Sequence, residues 1–554
     1  MTLKFPNCDC SFEAKSVDKI FFNPNIEDIP LNCSATWDLI SSGNTKGVFQ
    51  LESRLGQMLS KKLKPHNIEH LAALVAIMRP GVLESMRPNA EGTMMSVTEH
   101  YIARKNGIEP VTYFHPALEH SLGKTFGEMI YQEQAMQITR DIAGFDLQQA
   151  DILRKAIGKK KADIMAEVKT EFLAGTKEAG IVEQDVAEQI FDWIEKSQRY
   201  SFNKSHAVSY AINAYLSAYA KAHFKKQFFT SYLYYAKEKQ KPHIEINELI
   251  NNAKVVDVDV RPPDLRRLNN HFRLIDNDIY FGFTDIKGVG NSVTTRLGNH
   301  IQVIQNRLKK SINDWSWSDF LIFVSPFINK TAVEALIKVG ALQWMGKPRQ
   351  LMWFEFEQYN KLSTRERNWI EKQYINNELS DISLKDILVM LLSSPVGRLG
   401  GIANINRVTK INDIANLVDN PPMLLTDSPA WISAVEEALL GISITCTIVD
   451  ECEKAVANTT CRDFISGVTS KDGILMAVKI DEVKEISTKR GQNVGSKMAF
   501  LSVSDNSALL ESVVLFPNVW SQHKSKLFVD NTVMLAGASG RERDSFVVTK
   551  VWQI

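Results

Sequence analysis

At roughly 150 residues per domain, a chain of 554 residues holds about three or four domains and cannot be a single small module. Lys and Arg total 65 against 64 Asp and Glu, a net charge of +1, which excludes a chain that is basic throughout and makes any anion-binding surface local. Hydrophobic residues at 44% and charged residues at 23%, with 28 glycines and 18 prolines, exclude disordered and fibrous chains. Six cysteines (Cys8, Cys10, Cys33, Cys446, Cys452 and Cys461) fit free thiols in a reducing compartment. The start MTLKFPNCDC lacks the pattern of a signal peptide, and no run of about 18 apolar residues appears, so a cytoplasmic protein is expected.

Residues 1–35 mix Asn, Pro, Asp and Cys around short apolar pieces and read as an N-terminal cap, a small Cys-containing unit. Residues 36–255 read as a helical domain, with Leu71, Leu74, Val75 and Met78 at helical spacing and Arg79-Pro80-Gly81 as a stop. Residues 256–345 begin with short strands: VVDVDV alternates from Val255 to Val260, and HFRLIDNDIYFGF predicts a hairpin turning at Asp276-Asn277-Asp278. Two short helical units follow, around 282–298 and 326–343, then a mostly helical connecting region over 346–455. Residues 456–554 alternate in five or six short runs (ILMAVKIDEV, MAFLSVSD, ESVVLF, TVMLAGASG, SFVVTKVW), which predicts a small barrel or sandwich.

Several motifs could carry chemistry. Asp257 with Asp259 has the spacing of a pair that holds divalent ions in phosphoryl transfer, but a half-exposed strand with its valines packed explains it better. Asp276 and Asp278 are better read as a turn. Arg154, Lys155, Lys159, Lys160 and Lys161 crowd one helical segment around Gly158, a candidate polyphosphate contact whose bland alternative is a solvated charge run. In Tyr200-Ser201-Phe202-Asn203-Lys204-Ser205-His206, Ser205 as an N-cap would set Lys204 at the positive end of a helix, where phosphate binds well. Its following aromatics, Tyr210, Tyr215 and Tyr219, are more often core than stacking platforms.

Ile286-Lys287-Gly288-Val289-Gly290-Asn291-Ser292 has the Gly-x-Gly turn with which a helix-hairpin-helix presents amides to a nucleic-acid backbone, and PFINKTAVEALIKVGAL is its weaker partner. Lys489 and Arg490 sit in a basic loop between strands, as on a barrel that binds single-stranded DNA. Cys8, Cys10 and Cys33 would need a fourth ligand, His66 or His70, to hold Zn2+, and plain free thiols are the preferred reading. Residues 350–354, QLMWF, suit a sliding-clamp peptide less well than a buried amphipathic helix.

Taken together, GVFQLES (47–53), ALVAIMRPG (73–81), IYQEQAMQI (130–138), DILRKAIGKKK (151–161), SFNKSHAVSYA (201–211) and FGFTDIKGVG (281–290) resemble, in order and spacing, the alpha subunit of bacterial DNA polymerase III, the C-family replicative polymerase. The likeness runs from about Asp28 to the end, EEALLGISITCTIVD (436–450) resembling that family's lead-in to its oligonucleotide-binding domain. It implies a multidomain α+β fold: a mainly helical fingers domain, tandem helix-hairpin-helix elements and a C-terminal OB-fold β-barrel.

By the same resemblance, Arg154 and Lys155 match a basic pair on the nucleotide's phosphates, with Lys155 where the family often has arginine. Lys159 and Lys160 extend that patch. Asn203, Lys204, Ser205 and His206 match the loop near the dNTP, and Tyr131, Gln132 and Gln134 match the adjoining fingers helix. Gly288 and Gly290 match the hairpin that grips DNA, and Lys287 and Ser292 flank them as further candidate DNA contacts. The family's PHP domain and its palm carboxylates would precede GVFQLES, where this chain has 46 residues without such a motif.

The expectation is therefore a split enzyme. This chain would position dNTP and primed template DNA, duplex and single-stranded, while a separate palm- and PHP-bearing chain supplies the carboxylates and their Mg2+. A sliding clamp is a further expected partner, and a phage or other mobile genome would suit such a split, placing the protein in the host cytoplasm. The alternative is a non-catalytic DNA-binding replisome protein derived from the polymerase subunit.

Overall fold

Local capping sets the first helices. Gly43, at φ +79°, ends α1 (Ser34–Ser42); the Ser53 hydroxyl accepts the Gly56 amide at the start of α2 (Arg54–Leu63); and Asn67 accepts the His70 amide at the start of α3 (Ile68–Ile77). Leu71 through Ile77 are all buried, so α3 is enclosed on every side rather than amphipathic. Arg79-Pro80-Gly81 ends it as expected, and Pro80 opens the short α4 (Pro80–Glu84) at the position where its missing N–H costs nothing. The computed structural model describes residues 2–4, 11–13, 29–159, 162–197, 200–393, 398–399, 402–451, 456–468, 473–488, 495–540 and 545–554. They fall into two units, Met1–Phe228 and Phe229–Ile554.

The first unit is helical around two cores. α1 to α4 and α5 (Val97–Lys105) share one with the long α10 (Lys204–His223), built on Trp37, Leu51, Leu74, Tyr101, Tyr215 and Tyr219. The other joins α6 (Gln132–Ala143), α7 (Leu147–Lys159), α8 (Ala162–Ala179) and α9 (Gln184–Ser197) through Ile138, Leu153, Phe172 and Phe191.

His70 lies on α3 against the rings of His66 and Phe126. Burial first, then the neighbouring His66 and Lys105, pulls its pKa down to about 4 from an ordinary 6.5. The unfolded chain binds this proton more tightly than the folded one, so stability falls as pH drops from 6.5 towards 4 and is unaffected by this group above that window. Melting temperature measured across that range should show a shallower acid limb in His70→Gln than in the parent.

In the second unit, α11 (Pro242–Val255) is followed by a three-stranded sheet of β1 (Val260–Arg261), β2 (Arg273–Ile275) and β3 (Asp278–Tyr280), in the order β1-β3-β2. The strand expected from Val255 to Val260 is thus only Val260–Arg261. The helix runs on to Val255, whose side chain packs on the barrel core, and Asp257 turns the chain at φ +59°. The alternation still reports burial, since Val258 and Val260 are inside. The hairpin at Asp276-Asn277 forms as expected, both residues having positive φ.

Helix α12 (Asn291–Leu308) extends well beyond the expected 298 because Leu297 and Ile304 continue its buried stripe. α13 (Lys330–Lys338) starts at the Asn329 cap, inside the expected second unit. α14 (Arg349–Asn360), α15 (Thr364–Asn376), α16 (Leu384–Leu392), α17 (Ile405–Asp419) and α18 (Pro429–Leu440) make the connecting region helical, with Met352 and Phe354 of the 350–354 stretch buried.

All five alternating runs at the C-terminus are strands: β4 (Ile474–Ser487), β5 (Lys497–Ser504), β6 (Leu509–Leu515), β7 (Thr532–Ser539) and β8 (Phe546–Gln553). They close in the order β4-β5-β6-β8-β7, with β6 and β8 parallel and every other pair antiparallel, and a helix, Pro517–His523, lies between the third and fourth strands. That is the topology of an OB-fold. At Gly537, beside a bulge in β7, a side chain would run into the Val547 carbonyl, so closure of the barrel requires glycine there.

Candidate functional site

The loop before α10 is held by α6. Tyr131 and Phe202 form an isolated parallel bridge, in which the Gln132 amide donates to the Phe202 carbonyl at 3.0 Å and the Phe202 amide donates to the Ile130 carbonyl at 2.9 Å. Asn203, not the expected Ser205, is the N-cap: its Oδ1 accepts the His206 amide at 2.9 Å and the Ser205 hydroxyl at 2.6 Å. Asn has the better reach here, and Ser205 already has helical geometry.

Glu133 takes the next positions. One carboxylate oxygen accepts the Lys204 amide and the other the Asn203 side-chain amide, each at 2.9 Å. The positive end of α10 is therefore already complemented by an anion, the arrangement a helix dipole favours. A phosphate entering this site meets the Lys204 ammonium, 5.7 Å from the centre of the Tyr131 ring, rather than a bare helix end.

Tyr131 and Gln134 are buried. Gln134 Oε1 accepts the Ile130 and Tyr131 amides, and Nε2 donates to the Thr125 hydroxyl at 2.6 Å, which spends the amide on fixing the chain. Gln134 thus acts on the site by holding residues 130–131, and Gln132 stays half-buried beside them.

A ladder of rings runs along one edge. The Arg79 guanidinium lies 3.7 Å from the centre of the Phe202 ring, followed by Phe202–His206 at 5.3 Å, His206–Tyr210 at 4.1 Å and Tyr210–Phe49 at 5.2 Å. The spacing of four residues from 202 to 206 to 210 puts these rings on one face. Burial pulls the Arg79 pKa below the usual guanidinium value. Beside the ladder is a cavity of about 510 Å³ whose wall includes Gln50, Met78, Arg79, Gly81, Tyr200 and Ser201. Gln50 turns the chain there at φ +66°, costly for a residue with a Cβ and typical of sites that fix a loop. The stretches 47–53, 73–81 and 200–211, far apart in sequence, thus meet around one concavity.

Arg154 and Lys155 sit on α7, both bound to Asp151, at 2.7 and 2.8 Å. The Lys155 ammonium first, then the Arg154 guanidinium, holds the Asp151 carboxyl below its ordinary range. A ligand phosphate must take these cations from an internal counter-ion. Lys159 closes the same helix, its side chain outside the described part, and Lys160 lies outside the described residues.

In the second unit, Ile286, Val289 and Val293 are buried and pin a hairpin from which Lys287, Gly288, Gly290, Asn291 and Ser292 are exposed. Gly288 has φ +90° and Gly290 is the N-cap of α12, so the amides leading into an 18-residue helix border the exposed face. Exposed amides at the start of a long helix are an arrangement that can accept an anion. Lys489, Arg490, Cys8 and Cys10 lie outside the described residues.

Among the described residues no group of three His, Cys, Asp or Glu could hold a metal ion. Asp257 accepts from Arg462 at 2.8 Å, Asp276 pairs with Arg267, and Asp278 pairs with Arg261. Among the described residues, no helix is long and apolar enough to cross a membrane.

The family model for the bacterial DNA polymerase III alpha subunit finger domain matches residues 14–180, and the helix-hairpin-helix motif matches residues 257–352. The DNA polymerase III subunit alpha of Aquifex aeolicus is 32% identical over 536 residues, 95% of this chain. Those of Borreliella burgdorferi and Staphylococcus aureus are 28% and 30% identical over 96% and 93% of it. The chain is homologous to part of the DNA polymerase III alpha subunit. It spans only about 40% of the length of the curated relatives it matches.

Against the alpha-subunit motifs, the residues that sequence reading did not single out are Arg79, Phe49, Gln50, Glu133 and Asp151. One of these had a legible signal: Asp151 precedes Arg154 and Lys155 by three and four residues, the spacing of helical ion pairs. Glu133 had none, because its partner lies 71 residues away.

Proposed function

We propose that this chain serves DNA replication as the fingers and DNA-binding part of a C-family polymerase. The first unit holds the incoming dNTP and the second holds the primed template. The palm carboxylates and the Mg2+ they bind are supplied from outside these 554 residues. The observation that carries this reading is the convergence of three separated alpha-subunit motifs on one cavity lined by Gln50, Arg79 and Ser201, with the Arg79 guanidinium over the first ring of the ladder.

In that reading Lys204, Arg154 and Lys155 offset the charge of the triphosphate. In nucleotidyl transfer the primer 3′-hydroxyl bonds to the α-phosphorus as pyrophosphate leaves, so cations on the β- and γ-phosphates favour departure of the leaving group. Glu133 and Gln134 fix the loop that presents Lys204, and the face of the ring ladder offers stacking for a base. The exposed hairpin at Lys287–Ser292 contacts DNA phosphates without reading sequence, which predicts binding that weakens steeply with salt.

Asp151 distinguishes this assignment from a solvated charge run. Asp151→Asn frees both cations and should tighten dNTP binding several-fold, whereas Arg154→Ala should weaken it. Titration of a fluorescent dNTP analogue into the whole chain measures both. No change in either variant would remove α7 from the site.

A further inference from the structure

At the start of the second unit, the helix Lys225–Ala236 buries Phe229, Leu233 and Ala236 on one face, which turns Tyr234 and Tyr235 outward. Tyr235 is 57% exposed, the most exposed aromatic residue among the described ones, and Tyr234 is 40% exposed. Large rings left accessible side by side mark a binding surface rather than a core.

The rings are held in place. Tyr235 meets Tyr234 at 5.0 Å and 75°, edge to face, and Tyr234 meets the His271 ring at 5.3 Å and 86°. The chain then turns, the Glu238 amide donating to the Tyr235 carbonyl at 3.0 Å and the Lys239 amide to the Ala236 carbonyl at 3.1 Å. This turn and the two residues after it carry Lys237, Lys239 and Lys241, all exposed, against one acid, Glu238, in a chain whose net charge is only +1. The Lys237 ammonium lies 4.8 Å from the centre of the Tyr234 ring, and that of Lys239 lies 5.6 Å from the centre of the Tyr232 ring.

The same face is tied to the hairpin. Lys237 Nζ donates to His271 Nε2 at 3.0 Å. An ammonium has no lone pair, so Nε2 accepts and Nδ1 carries the ring proton, which it donates to the Thr284 hydroxyl at 2.9 Å, with Asp285 Oδ1 further off at 3.4 Å. The Thr284 hydroxyl in turn donates to the Asn270 carbonyl at 2.6 Å. Thr284 stands three residues before Lys287, so the aromatic face and the exposed hairpin share one support. Lys237 keeps two of its three protons for another acceptor.

We propose that Tyr234 and Tyr235, with Lys237 and Lys239, form a platform for single-stranded DNA. An unpaired base stacks on the Tyr235 ring while the lysines take the neighbouring phosphates. Protein interfaces are depleted in lysine, and a duplex keeps its base faces stacked inside, so exposed rings among lysines fit a strand whose bases are unpaired. The platform adds a ligand to the DNA-holding reading of the second unit, and rests on that reading only for the strand's place beside the hairpin.

The test uses the whole chain, with a fluorescein-labelled oligothymidylate and a blunt duplex as probes read by anisotropy. Tyr235→Ala should weaken oligothymidylate binding about tenfold and leave duplex binding unchanged, while Tyr235→Phe, which keeps the ring, should bind as the parent does. Lys237→Gln with Lys239→Gln should lower the slope of log affinity against log salt on the oligothymidylate by about 1.4, the release expected from two single-strand phosphate contacts. A second single-strand site elsewhere on the chain would mask such losses, so the contact is also mapped: irradiation of the parent with an oligonucleotide carrying 5-iodouracil should place a crosslink on Tyr234 or Tyr235. Crosslinks confined to other residues, or equal losses on oligothymidylate and duplex in Tyr235→Ala, would overturn the platform. A parent that binds oligothymidylate but not duplex would count against the hairpin reading and leave the platform standing.

Discussion

Replacing Arg349 by alanine should destabilise the second unit by about 3–5 kcal/mol, the usual cost of leaving one charge of a buried pair without its partner. The Arg349 side chain is 1% exposed and that of Glu436 is 0% exposed, and they meet at 2.8 Å. The guanidinium also donates to the Lys338 carbonyl, the Gln343 side chain and the Thr445 hydroxyl, while Glu436 accepts the Ile444 and Thr445 amides. This network ties α13, α14 and α18 to the irregular stretch that follows α18. Gly340, at φ +82°, makes room for it, since a Cβ there would come within 2.6 Å of the guanidinium.

Trp353 and Trp431 stack beside the network at 6.5 Å, so they contribute to the tryptophan fluorescence change that follows its loss during urea unfolding. Arg349→Met combined with Glu436→Leu should recover much of the loss, because both charges then leave the interior together. A single variant within 1 kcal/mol of the parent would show that the network is not what holds these helices. Because α13 is the helix of the second hairpin, the alanine variant should also bind duplex DNA less tightly.

The second large effect is expected at Lys204. Loss of a charge-assisted contact to phosphate costs about 1.5–3 kcal/mol, so Lys204→Ala should weaken dNTP binding by about 10- to 100-fold. The fold should tolerate the change, since Glu133 is bound by the backbone amide of residue 204 and the helix is capped by Asn203. Affinity for primed DNA alone should hold, because the hairpin at Lys287–Ser292 belongs to the other unit. Unchanged dNTP affinity in this variant would remove Lys204 from the site.

The legible parts of this protein are those that local rules determine. The barrel strands follow from period-two alternation, the hairpin at Asp276-Asn277 from turn chemistry, and the end of α3 from Arg79-Pro80-Gly81. The strand at Val255–Val260 failed because a run of valines scores alike whether it alternates in a sheet or closes a helix against a neighbouring core. The cap of α10 was misplaced by two residues, since Asn203 and Ser205 are both good caps and only the contact to Glu133 decides between them. Asn203, Lys204 and His206 were visible through resemblance. Arg79, Gln50 and Phe49 became functional candidates only when the fold brought their segments to one cavity, and the Arg349–Glu436 network is invisible without the 87-residue contact that forms it.

The central claim is that this chain positions nucleotide and primed DNA for palm carboxylates supplied from outside these 554 residues. One gel assay tests it: the purified chain is mixed with labelled primer-template, Mg2+ and all four dNTPs, and complex formation and primer length are read in the same reactions. The account predicts a salt-sensitive complex with the primer left at its starting length. Robust Mg2+-dependent extension by this chain alone, or no complex with primed DNA at low salt, would contradict it.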